Sequence, residues 1–82
     1  MRVDKYLKNS RLIKRRTMAK KACEQGRVII NEKIAKPGDE VKPGDIIEIK
    51  LGTGSTKVEV LSIKDNVAKN QSEELYKHLK GF

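Results

Sequence analysis

The chemistry open to this chain rests on cations. Residues 1–36 carry twelve Lys and Arg against three carboxylates (Asp4, Glu24 and Glu32), a net of +9, whereas residues 37–82 carry seven against eight, a net of −1. Every arginine (Arg2, Arg11, Arg15, Arg16 and Arg27) falls in the first part. Charge needed only for solubility would be scattered; charge this concentrated is the footprint of a surface for a polyanion. The densest run is Arg11-Leu12-Ile13-Lys14-Arg15-Arg16, with Lys20 and Lys21 following. A guanidinium offers a planar fork of donors that matches phosphate oxygens and can stack on a base, and lysine adds a compact charge. Folded RNA is read through shape, phosphates and 2′-hydroxyls, which suits many cations and few aromatics. Tyr6, Tyr76 and Phe82 are the aromatic residues, so no sheet platform for stacking bases is expected.

The remaining reactive side chains lack partners. Cys23 is the single cysteine and His78 the single histidine. With no second Cys or nearby His to complete a metal or redox pair, Cys23 reads as a small buried side chain. His78 reads as an exposed helix residue, and Thr17 as a helix cap more than a nucleophile. No catalytic residue, metal or cofactor is expected, and the chain is not read as an enzyme. Asp4 either stabilises a helix start or pairs with a nearby cation, in which case it could orient an arginine. The cations have plainer readings too: a solvated face for the 11–16 run, a surface arginine at Arg2, solvent-facing lysines at Lys20 and Lys21, a helix–strand junction at Arg27. The charge asymmetry weighs against that reading for the run itself.

These residues must be held by a small α+β frame. Val3 and Leu7 share one face of a short helix over residues 2–9, with Asp4 in its first turn and Tyr6 inward or half-buried. Residues 10–16 form a basic connector anchored by Leu12 and Ile13. Thr17 opens a second helix over 17–25 with Met18, Ala19, Ala22 and Cys23 inward, and Gly26 supplies the left-handed residue at its end. Arg27–Asn31 is apolar and β-branched, hence a strand, and Asn31-Glu32 makes a tight turn. Lys-Pro-Gly-Asp occurs twice, at 36–39 and 42–45, and each Pro-Gly suits a type II turn. Strands over 46–51 and 57–63 flank a connection at 52–56. Residues 66–80 read as a C-terminal helix with Val67, Leu75, Tyr76 and Leu79 as its stripe. The expected units are residues 1–65, the functional domain, and 66–82, helix and tail.

At 82 residues and net charge +8 the chain has room for one domain and little room for a deep cavity. No apolar run reaches the ~20 residues of a membrane span, and the basic N-terminus lacks an apolar signal core. A cytoplasmic protein and no membrane partner are expected.

Three stretches taken in order, Arg2-Val3-Asp4-Lys5-Tyr6-Leu7, Gly26-Arg27-Val28-Ile29-Ile30-Asn31 and Val41-Lys42-Pro43-Gly44-Asp45-Ile46, resemble the S-four (alpha-L) RNA-binding domain over residues 2–50. Arg11 to Thr17 narrows the resemblance to the RqcP family, small S-four proteins of bacterial ribosome-associated quality control. The resemblance implies an S-four-like fold, two N-terminal helices on a small sheet, in a monomeric, non-enzymatic factor. It implies binding to the large ribosomal subunit through ribosomal RNA and peptidyl-tRNA, beside an RqcH-type protein, in support of template-free alanine tailing of stalled chains. By motif, the RNA-facing residues would be Arg2, Arg11, Lys14, Arg15, Arg16, Lys20, Lys21 and Arg27, with Asp4 in support. A second reading is the heat-shock S-four relative, which repositions tRNA on the same particle but tends to carry a longer basic tail. An S-four module of a pseudouridine synthase or tRNA synthetase would need a catalytic domain beyond residue 82, and a DNA-compacting protein would not confine its charge this way.

Overall fold

Val3 and Leu7 both sit at 0% exposure, so the four-residue spacing does set the first helix against the core. The computed structural model describes residues 1–52, 54–63 and 75–79. Helix α1 spans Val3–Asn9 and α2 spans Arg16–Glu24. Strands follow as β1 Val28–Ile30, β2 Lys33–Ile34, β3 Ile46–Leu51, β4 Gly54–Val60 and β5 Tyr76–His78. They form one antiparallel sheet in the order β2-β1-β3-β4-β5. The architecture is the expected α+β arrangement, two helices packed on a small sheet.

Alternation along the strands decides which face meets the helices. Val28, Ile47, Ile49, Val58 and Val60 are buried with Tyr6, Leu7, Ala19 and Cys23. Ile29, Glu48 and Lys57 are paired in register across β1, β3 and β4 on the opposite face. Truncating a residue such as Ile47 to Ala is worth roughly 2–5 kcal/mol, since it removes contacts from both layers.

Helix α2 ends as its sequence suggests. Gly26 takes φ +72, its N–H donates to the Cys23 carbonyl and the Arg27 N–H to that of Ala22. Those are the paired bonds that close a helix on a left-handed residue. Its start differs from expectation. The capping position is Arg15, in extended conformation and without a side-chain cap bond, and Thr17 lies inside the first turn. Ala19 and Cys23 face the core and Ala22 packs partly against it, but Met18 is 55% exposed. The buried stripe of α2 is narrower than the apolar pattern suggests.

The Asn31-Glu32 turn forms with both residues at positive φ (49 and 70), the mirror-image turn that matches hairpin twist. Asn31 also accepts from the Ile46 N–H and donates to Asp45, stitching the turn to β3. The two Lys-Pro-Gly-Asp stretches make the same bond, Lys36 N–H and Lys42 N–H each donating to the Asp carboxylate three residues on. Gly44 has φ +96, as a type II turn needs, whereas Gly38 does not take positive φ. The first turn is drawn instead onto α1, where Val3 and Asp4 N–H groups donate to Asp39 and Pro37 carbonyls.

The C-terminal expectation is corrected where it is described. Residues 76–78, expected as helix, are strand β5, with Tyr76 opposite Val60 and His78 opposite Val58. His78 is exposed, but on a strand, and its ring meets Tyr76 edge-on. The edge of β4 offered unpaired backbone groups, and pairing them outweighs a helical stripe of Leu75, Tyr76 and Leu79 that fits strand alternation nearly as well. Leu75 joins the core, and the Tyr6 hydroxyl donates to its carbonyl at 2.6 Å. The rest of the expected helix, Val67 included, lies outside the described residues. The 52–56 connection is also shorter than expected: β4 begins at Gly54, and it ends at Val60, not at residue 63.

Candidate nucleic-acid interface

Asp4 organises the basic surface. It lies in the first turn of α1 and is 2% exposed, yet it touches two cations. One oxygen accepts from Arg2 at 3.2 Å. The other accepts the Lys5 backbone N–H at 2.7 Å and lies 3.5 Å from Arg16. Both arginine side chains remain half exposed, at 50% and 49%. A carboxylate fixed by the backbone therefore holds two guanidinium groups from different elements side by side, each with donors still facing water. The Arg2 guanidinium also lies over Gly38, 4.0 Å from where a side chain there would begin.

The connector between the helices presents its cations differently. Arg11, Lys14 and Arg15 are exposed. Arg11 has φ +63, the left-handed conformation just past the end of α1, with its N–H donating to the Lys8 carbonyl. Glycine is the usual occupant of such a position. Leu12 and Ile13 pack partly against the core and pin the connector from beneath.

Along α2, Arg16 and Lys20 are four residues apart and share one side of the helix. Lys21 is turned about 100° further round. Arg27 is exposed beyond the far end of α2, where its carbonyl accepts the Lys50 N–H. The structure thus brings Arg2 and Arg16 together at Asp4, with Lys20 one turn along α2 from Arg16, leaves Arg11, Lys14 and Arg15 exposed on the connector, and puts Lys21 on another side of α2 and Arg27 beyond its far end. Arg11, Lys14, Arg15, Lys20, Lys21 and Arg27 make no ion pair among the described residues. The spacing predicts Met18 in the core, but the structure exposes it on α2; only the phase of α2, set by Ala19 and Cys23, distinguishes the two.

Two buried groups lie under the interface. Burial, with a smaller contribution from Tyr76, pushes the Tyr6 phenol well above its ordinary value. The Cys23 thiol is pushed up to about 11, first by burial and then by Asp4, Asp39 and Glu24. Both stay protonated at neutral pH and act as packing. Among the described residues no three His, Cys, Asp or Glu gather into a metal site, and no helix is long and apolar enough to cross a membrane.

The S4 domain family matches residues 1–47. The "RQC P-site tRNA stabilizing factor" of Halalkalibacterium halodurans is 50% identical over 76 residues, covering 93% of this chain and 86% of that protein. The protein of the same name from Bacillus subtilis is 46% identical over 80 residues, covering 98% and 93%. A trimeric structure of Vibrio cholerae Heat Shock Protein 15 superimposes with a TM-score of 0.88 at 29% identity, covering 96% of this chain and 81% of that one. With the family's domain spanning the helices that carry the basic surface, and relatives matching nearly end to end, the chain belongs to the S4-domain family and, within it, to the RQC P-site tRNA stabilizing factors.

Proposed function

We propose that this chain is a non-enzymatic, cytoplasmic factor of bacterial ribosome quality control. In this reading it binds the large ribosomal subunit through ribosomal RNA and peptidyl-tRNA. It works beside an RqcH-type protein and supports C-terminal alanine tailing of stalled chains. Arg2, Arg11, Lys14, Arg15, Arg16, Lys20, Lys21 and Arg27 would face RNA, with Asp4 positioning Arg2 and Arg16. The observation that supports this most is the Asp4 arrangement: one fixed carboxylate presents two half-exposed guanidinium groups next to a basic connector whose cations make no ion pair among the described residues. Such a surface recognises phosphates at a set spacing.

The test is co-sedimentation with large subunits carrying peptidyl-tRNA, compared with small subunits and with duplex DNA. Binding to the first alone is expected; binding only to small subunits or DNA would end the proposal. The likeness to Heat Shock Protein 15 favours a second reading, in which the chain repositions tRNA on the same particle without tailing. Loss of alanine tails from stalled chains in cells lacking the protein supports the first reading, and unchanged tails support the second.

A further inference from the structure

The face of the sheet turned away from the helices holds an open cleft of about 500 Å³. Ile29, Ile46 and Leu79 form its apolar floor, and Glu32, Glu48 and Lys57 stand around it. Ile34, the cross-strand partner of Ile29, continues the apolar surface beyond the cleft and is 68% exposed. Glu32 and Glu48 have no ion-pair partner among the described residues, whereas Lys57 has an interaction of its own. On a chain of net charge +8, this cleft sets two carboxylates against one lysine, Lys57, which lies directly across the strands from Glu48, beside the half-buried Ile29 and Ile46 and the exposed Ile34. Glu32 also holds φ +70 at the second position of its turn, where glycine would be easier.

These features select a partner by chemistry. Carboxylates repel phosphate, so the RNA suited to the helix face is a poor fit here. The floor takes an apolar side chain, and the carboxylates take cations placed beside it. We infer that this cleft docks a basic segment of another protein, whose Lys or Arg side chains pair with Glu32 and Glu48 while an apolar side chain rests on Ile29, Ile46 and Leu79. The partner then sits on the sheet while the helix face stays open.

The test is photo-crosslinking in living cells from a benzoylphenylalanine replacing the exposed Ile34. The expected adduct is to a different protein, at a segment where Lys or Arg flanks an apolar residue. Glu32→Gly and Glu48→Gln together should lower its yield about tenfold. Glu32→Gly alone should lower the yield while raising the thermal midpoint, a pair of signs that a folding defect cannot produce. An adduct to RNA, to a second copy or to this chain itself, no adduct, or a yield indifferent to both substitutions would overturn the inference. The readout does not depend on the helix face binding RNA.

Discussion

Asp4 and Arg16 meet at 3.5 Å, and that contact ties the first turn of α1 to the first residue of α2. The same carboxylate holds Arg2 at 3.2 Å. Asp4→Asn keeps the shape and an acceptor for the Lys5 N–H but removes the charge that holds both arginines. It also makes the protein one unit more positive. If only net charge mattered, Asp4→Asn would bind RNA more tightly. The expected result in a filter-binding assay is weaker binding, because two guanidinium groups lose their fixed spacing. Asp4→Ala should in addition cost about 1–3 kcal/mol in denaturant unfolding, since a buried acceptor of several donors is lost.

Arg11 separates stability from function. Its φ of +63 is a conformation that glycine adopts freely and arginine does not. Arg11→Gly is expected to raise stability by up to about 1 kcal/mol in urea unfolding. Affinity for large subunits should fall in the same variant. A variant gaining both would show that Arg11 has no part in binding.

Alkaline pH reports on the packing under the interface. Burial raises the Cys23 thiol from 9.0 to about 11 and raises the Tyr6 phenol further. A folded state that keeps these groups protonated is at its full stability below their unfolded values and loses it as pH climbs towards the folded ones. Stability should therefore be flat near pH 8 and fall from about pH 9 upwards. Cys23→Ala should remove the part of the fall that sets in near pH 9, and Tyr6→Phe the part that begins near pH 10, measured as thermal midpoints across pH 8–11.

Much of this was legible in the chain, and the gaps have physical causes. Val3, Leu7 and Ala19 announced two helices by spacing, and Gly26 marked the end of the second. Asn31, the repeated Lys-Pro-Gly-Asp and the β-branched runs announced a hairpin and strands. Leu75, Tyr76 and Leu79 misled because the same spacing serves a helix and a strand; the open edge of β4, a property of the folded sheet, decided between them. Thr17 misled because a capping residue is only one way to start a helix. The basic run was visible as composition. Its ordering by Asp4 was visible only as two options, since nothing in the sequence brings Arg16 back to α1.

Binding of large subunits as a function of salt tests the central claim most directly. A surface that works by contacting several phosphates gives a steep fall of log affinity with log salt, and each lost contact flattens the slope by about one. Lys14→Glu with Arg15→Glu spares the Asp4 contacts, so the fold should survive, as judged by an unchanged thermal midpoint. The expected result is a steep slope for the unaltered protein, and for the variant a flatter slope with affinity lost at every salt concentration. Equal affinities and equal slopes for the two proteins would contradict it.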